Sequence, residues 1–161
     1  MLILSGYELA VYSLSYYLIT CYIYYRIAQK FDNNISYYIM LIPCWNFYLI
    51  LKLALDKRFA VYYFWGYIFI NFIFNSIEKY YSYNKTIMIS TEFIANLILA
   101  IPIAFIAKKL GKNFWIYLIA FQIPFLINTW IGVLSALILV SIMAFDKSNP
   151  TTPPIEEITN K

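Results

Sequence analysis

Long apolar segments, each closed by a short polar or charged stretch, set the strongest limit on how this chain can fold. A helix needs about 20 mostly apolar residues to cross the hydrocarbon core of a bilayer. With 63% apolar and 12% charged residues, the chain lies outside the range of soluble domains, which are roughly half apolar and a quarter charged. We therefore predict an all-α integral membrane protein: a bundle of four to five transmembrane helices, several kinked at proline, in one domain over residues 1–145. The predicted spans are 9–25, 35–51, 59–77, 93–110 and 114–144.

Two of these segments leave the number of spans open. Residues 35–51 would form a helix of roughly 25 Å against a hydrocarbon core of about 30 Å, so this segment either spans marginally or is re-entrant. Residues 114–144 could form one long helix or a hairpin that turns near Asn128. Because each half of such a hairpin would be too short to cross, we predict one tilted helix that is kinked at Pro124.

Lysine and arginine in the short loops predict the orientation of the bundle. We expect a multi-pass protein of the cell (plasma or inner) membrane, with loops 52–58 and 108–113 in the cytoplasm and loop 78–92 outside. If 35–51 spans, the amino terminus is cytoplasmic; if it is re-entrant, Arg26 and Lys30 join the cytoplasmic side and the amino terminus is external. The basic residues that define the cytoplasmic loops are Lys52, Lys57 and Arg58, and then Lys108, Lys109 and Lys112.

The last 16 residues, 146–161, differ from the rest in composition. They are polar and rich in proline, which is typical of an extended or disordered terminus. We predict that this tail lies outside the helical domain and serves as a docking segment.

The sequence also excludes several kinds of chemistry. It has no histidine, which excludes a histidine-held haem and a Ser-His-Asp relay, and its two cysteines, Cys21 and Cys44, cannot by themselves complete a zinc site. The four glycines are isolated, so no phosphate-binding loop is present. The net charge of +4 comes from clusters between apolar runs, which disfavours nucleic-acid binding. We expect no enzyme activity, no cofactor and no metal.

Uncharged polar residues are the remaining candidates for function, since the predicted spans contain no ionisable residue at depth and Glu8 and Asp56 sit at segment ends. Amides inside a membrane can hydrogen-bond across to a neighbouring helix. Asn71 and Asn75 stand four residues apart on one helical face, where they predict interhelical packing or, alternatively, a polar groove for a ligand or a partner helix. The predicted packing or contact residues are Pro43, Asn46, Asn71, Asn75, Asn96, Gln122, Pro124, Asn128, Gly132 and Ala136, the last two forming a small-x-x-x-small pair.

Pro43 raises the question of where the backbone finds its hydrogen bonds. A proline removes one helical hydrogen bond and kinks or breaks the helix, and the freed carbonyl needs a partner where no water is near. Asn46 follows three residues later on the same face and is predicted to supply that partner. Pro102 and Pro124 lie in similar apolar surroundings.

Three short boxes carry a resemblance to a known family. The first comprises Ile42, Pro43, Asn46, Tyr48, Leu49, Lys52 and Ala54; the second comprises Ala107, Lys108, Leu110, Gly111 and Lys112; the third is Pro124 and Phe125. Over about residues 35–135 the chain resembles small bacterial multi-pass membrane proteins that are domains of unknown function, sometimes fused to a type I signal peptidase. It departs from them at LDKRF (55–59), where relatives tend to have glycine and paired tryptophans, and in its tail. The resemblance implies a bacterial membrane protein, and because we expect no attached peptidase domain, it does not carry proteolysis over to this chain.

These observations give one first hypothesis and two alternatives for function. The first is a non-enzymatic accessory, scaffold or assembly subunit of a larger membrane complex, whose partners are the lipid bilayer and other membrane protein subunits. The second is a small transporter or channel-like protein with proline-bent helices around a cavity. The third is an immunity-type membrane protein that blocks a pore-forming toxin.

Overall fold

A computed structural model describes residues 6–32, 34–80, 85–127 and 129–150. Over these ranges the protein is all-helical, with seven helices and no strand. The helices are α1 (Gly6–Phe31), α2 (Tyr37–Met40), α3 (Pro43–Ala54), α4 (Lys57–Tyr80), α5 (Lys85–Lys109), α6 (Phe114–Ile127) and α7 (Thr129–Phe145).

Three long helices form the frame of the molecule. α1, α4 and α5 have 26, 24 and 25 residues, and so are each between about 36 and 39 Å long. α1 continues past its predicted end and includes Arg26 and Lys30. α5 begins at Lys85, eight residues before its predicted start, so most of the predicted external loop over 78–92 is helical. The prediction was wrong there because the apolar residues Ile87, Met88 and Ile89 already favour a helix ahead of Glu92.

The segment over 35–51 is not one continuous helix. It is divided at Leu41 and Ile42 into the four-residue α2 and the 12-residue α3, and α3 is only about 18 Å long. The Tyr37 ring lies 6.4 Å from the ring of Tyr22, and the Tyr17 hydroxyl donates to the Leu41 carbonyl at 2.9 Å. After α1, the chain therefore runs back along that helix, from its carboxyl end to about its middle. α3 then returns to the level of the α1 carboxyl end, because Leu53 near its end bonds Lys109, close to the ion pairs of Asp146 with Lys30 and Lys112. The path is that of a hairpin, as the re-entrant alternative requires.

Pro43 and Asn46 explain why the chain turns back at this point. Pro43 occupies the first turn of α3, where its missing N–H has no cost, and Ile42 before it is extended (φ −87°, ψ 114°). Pro43 therefore starts a helix instead of kinking one. Asn46 is 8% exposed, and its Nδ2 donates to the Met40 carbonyl at 3.2 Å. Its side chain thus bonds a backbone group that the break leaves without a helical partner.

The prediction of one tilted helix over 114–144 is wrong. The segment forms two helices, α6 and α7, of 14 and 17 residues, which pack side by side. Lys112 just before α6 forms an ion pair with Asp146 just after α7, so the two ends of this hairpin meet. The prediction failed because it required every apolar helix to cross a bilayer alone. Pro124 lies inside α6, whereas Asn128 lies outside the described residues.

Gly111 and Asn113 make the sharp turn between α5 and α6. Gly111 has a φ of 74°, which favours glycine, and the Lys112 N–H donates to the Ala107 carbonyl at 2.9 Å. The Asn113 Oδ1 then accepts a hydrogen bond of 2.9 Å from the Trp115 N–H and caps the start of α6. The second box of the sequence, which includes Gly111 and Lys112, therefore forms the C-cap of α5.

The ends of several helices meet at one end of the molecule, which we call the basic end. Asp146 pairs with Lys30 at 2.6 Å and with Lys112, which joins the ends of α1, α5 and α7. Lys109 donates to the Leu53 carbonyl at 2.7 Å and thereby joins α5 to α3. The opposite end, where α1 begins, α4 ends and α5 begins, is called the far end.

Asp146 also corrects the predicted boundary of the tail. Its carboxylate and carbonyl are bonded to Lys30, and the Ser148 Oγ donates to the same carboxylate at 2.5 Å, so 146–148 belong to the helical domain. Residues 151–161 lie outside the described part of the chain.

We predict that Asp146→Asn lowers the free energy of unfolding by about 1 to 3 kcal/mol, because two half-buried lysines lose a charged partner. Burial alone would raise the pKa of the Asp146 carboxyl, but hydrogen bonds from Lys112, Lys30 and Ser148 hold that pKa well below its usual range. A carboxyl of lowered pKa stabilises the folded state above its unfolded pKa of about 4. The difference between wild type and variant should therefore shrink as the pH falls below that value.

Denaturant titration of the purified protein at pH 7 and at several values below 4 measures this difference. Ser148→Ala is the milder control, since it removes one hydrogen bond and keeps both ion pairs. A difference that does not change with pH would contradict a role for the ionised carboxylate.

Candidate functional site

A cavity of about 410 Å³ lies between the helices, within the size range of pockets that hold small molecules. Five helices supply most of its wall: α1, α3, α4, α5 and α7, with Phe121 added from α6. Its most exposed lining residues are Tyr16, Asn75 and Glu92, which lie in the parts of α1, α4 and α5 nearer the far end. The cavity therefore has its mouth toward the far end.

Hydrogen-bonding side chains are concentrated near the mouth. Asn71 and Asn75 project from one face of α4, and Glu92 and Asn96 project from one face of α5. Each pair is four residues apart, which places the two Cβ atoms of a pair about 5 to 6 Å from each other. Three amides and one carboxylate thus share the mouth.

The amides of α4 keep some hydrogen-bonding groups available to a ligand. The Asn71 Nδ2 donates to the Tyr67 carbonyl of its own helix at 2.9 Å, which leaves the side-chain oxygen unused. Over the described residues, neither Asn71 nor Asn75 forms a hydrogen bond to a neighbouring helix. Of the two readings of this pair, the geometry favours the polar groove over interhelical packing.

Glu92 is a site residue that the sequence reasoning missed. The prediction placed it in an external loop, whereas it lies inside α5 and within the 21-residue apolar stretch Ile89–Lys109. The helix-forming apolar run that begins at Ile87 was the available signal. Among the described residues of the cavity wall, Glu92 is the only charged one, and it forms no ion pair with any described residue.

The base of the cavity is apolar. It is formed by Phe47 and Ile50 of α3, by Pro102 and Ile103 of α5 and by Phe121 of α6. The two hairpins α2–α3 and α6–α7 thus close the cavity on the side of the basic end. Ala136 of α7 lines the cavity wall, and Gly132, one turn before it, is also buried.

Gln122 is buried without a hydrogen-bond partner. It is 7% exposed, and neither its Nε2 nor its Oε1 has a partner within the structure as described. A buried polar atom left unpaired costs about 1 to 3 kcal/mol, so such groups are rare. Gln122 follows Phe121 of the cavity base and does not itself line the cavity.

The predicted basic residues all lie at the basic end, away from the cavity. Lys57, Arg58 and Lys108 are exposed, Lys52 and Lys109 are half-buried, and Lys112 pairs with Asp146. In the described part of the chain, no three cysteine or acidic side chains come together as a metal site would require. The arrangement at the mouth can form hydrogen bonds and attract a positive charge.

We predict that Asn46→Leu lowers the free energy of unfolding by about 1 to 3 kcal/mol, because it leaves the buried Met40 carbonyl without its donor. Asn46 also lies 3.5 Å from the Cys21 sulfur, so the larger side chain would crowd α1. Denaturant titration measures the change, and unchanged stability would show that Asn46 does not hold the break between α2 and α3.

Gln122→Met is predicted to stabilise the folded protein, in contrast to Asn46→Leu. It replaces two unpaired polar atoms by an apolar side chain of similar shape and should raise the free energy of unfolding by about 1 kcal/mol. The same titration applies, with wild type measured in parallel. A loss of stability would mean that the Gln122 amide is bonded in solution.

Comparisons of the chain with models of protein families, with curated proteins and with solved structures gave no match.

Proposed function

We propose that this chain is an integral membrane protein that binds a small molecule in the cavity between its helices and performs no reaction on it. In this proposal α1, α4 and α5 cross the membrane. The hairpins α2–α3 and α6–α7 enter from the basic end and return to it.

The apolar surface of α4 supports a membrane location. α4 and α5 each contain 21 residues that are long and apolar enough to cross a bilayer, and only 6% of the α4 window and 33% of the α5 window are buried. A core helix of a soluble protein would be mostly buried. Five aromatic side chains of α4 are instead between 64% and 76% exposed, as contact with lipid would require: Phe59, Tyr62, Trp65, Phe69 and Phe72.

Backbone hydrogen bonding makes the hairpins compatible with a membrane. α3 and α6 are too short to cross alone, but non-helical backbone is tolerated at membrane depth where protein covers it. At the break, two carbonyls are bonded by protein side chains, since Tyr17 bonds the Leu41 carbonyl and Asn46 bonds the Met40 carbonyl. α1 is long enough to cross, and its many tyrosines suit the interfaces of a membrane.

The distribution of charge supports an orientation. The basic end carries Lys30 from α1 in addition to the two predicted lysine clusters, so the positive-inside rule assigns this end to the cytoplasm. The cavity mouth and the amino terminus would then face outside, and residues 146–150 would be cytoplasmic.

The single observation that carries the binding proposal is the cavity itself. It combines an apolar base with a few convergent polar groups at its mouth, which is the composition of small-molecule sites. This favours the transporter or channel-like alternative, in the limited sense of a protein that takes up a ligand between its helices.

An accessory subunit is the second candidate. The exposed aromatic side chains of α4 could contact another membrane protein as well as lipid. No described contact favours the immunity-type alternative.

Native mass spectrometry of the full chain, released from mild detergent, tests the binding proposal. We expect a small-molecule adduct in the wild type that is lost in Ala95→Phe, because the larger ring fills the cavity. Ile94→Phe is the matched control, since the neighbouring side chain is 45% exposed and does not line the cavity. Stoichiometric protein subunits without an adduct would favour the accessory role instead.

Cysteine labelling tests the proposed orientation. In a background with Cys21→Ala and Cys44→Ala, the exposed positions 108 and 147 are replaced one at a time by cysteine. A membrane-impermeant thiol reagent should label both from the same, cytoplasmic side, because the α6–α7 hairpin returns to the basic end. Labelling from opposite sides would contradict the hairpin and support a single helix over 114–144 that crosses the membrane.

A further inference from the structure

We infer that the cavity binds an organic cation with an apolar body, with Glu92 as the counter-ion. This inference rests on the proposed function and adds the chemical class of the ligand. It combines three features of the cavity wall: one carboxylate, several aromatic rings and an apolar base.

The negative charge at the mouth favours a positively charged ligand. Glu92 is the only charged residue among the described residues that line the cavity, and it lies within the apolar stretch of α5, where it forms no ion pair with any described residue. None of the described basic side chains lines the cavity, so no described residue there attracts an anion. A positive group at the mouth would supply the charge that Glu92 lacks.

The aromatic rings select an organic cation over a metal ion. Tyr16, Tyr24, Phe47 and Phe74 line the cavity, and aromatic faces attract ammonium groups, quaternary ones above all. A volume of about 410 Å³ far exceeds that of a metal ion, and a single carboxylate is fewer charged ligands than calcium sites use.

The apolar base of the cavity favours a ligand with an apolar body. Phe47, Ile50, Ile103 and Phe121 offer it carbon contacts, whereas the amides at the mouth can accept hydrogen bonds from the charged group. A cation that enters from the far end would place its apolar part against the side chains of this base and its charge beside Glu92.

Isothermal titration of the purified full chain with three soluble probes tests this inference. The probes are benzyltrimethylammonium, benzyl alcohol and phenylacetate, which share an aromatic ring and differ in charge. We expect the cation to bind tightest, and Glu92→Gln to weaken it about tenfold or more while leaving the alcohol unchanged. Asp56→Asn is the matched control, because it removes an exposed carboxylate at the basic end.

The outcomes separate this inference from the proposed function. Equal binding of the three probes, abolished by Ala95→Phe, would overturn the cation assignment and leave the binding cavity in place. Binding that survives Ala95→Phe, or no binding in a wild type that also shows no native adduct, would overturn both. Cation binding that is lost in Glu92→Gln and kept in Asp56→Asn supports the inference.

A second measurement applies if Glu92→Gln does not fold. In the background without native cysteines, Asn75→Cys should react faster with a cationic than with an anionic methanethiosulfonate reagent, because Glu92 attracts the cation to the mouth. Equal rates for the two reagents would overturn the assignment.

Discussion

The ion pairs of Asp146 with Lys30 and Lys112 fix the arrangement on which the rest of the structure depends. They bring the end of α7 to the end of α1 and to the turn after α5, so the last apolar segment must fold back on itself. The pairs are half-buried and charge-assisted, which makes them stronger than exposed pairs on a surface.

Two short hairpins beside three long helices account for the cavity. α3 and α6 are much shorter than the long helices, and Phe47, Ile50 and Phe121 on them close the space that α1, α4, α5 and α7 enclose. Polar residues are found where that space opens, and apolar residues where the hairpins close it. The functional proposals therefore depend on helix length as much as on residue type.

The sequence predicted the helical class and the shared face of Asn71 and Asn75, because both follow from apolar content and helical spacing. It also predicted that Asn46 would bond a backbone carbonyl near the proline. It could not predict the fold of 114–144, since the partner that decides it, Asp146, lies beyond the apolar run and is matched to Lys30 over 116 positions of the chain. Glu92 was missed for a different reason: the boundary of α5 was placed too late.

Unequal helix lengths have a consequence for the surrounding lipid. α6 is about 21 Å long and α5 about 37 Å, so in a bilayer the flank formed by α6 and α7 is lower than the hydrocarbon core is thick. In the proposed orientation, acyl chains next to that flank would tilt or shorten their reach and so thin the outer leaflet locally. A locally thinned leaflet beside the mouth would give a membrane-dissolved molecule a sideways route into the protein.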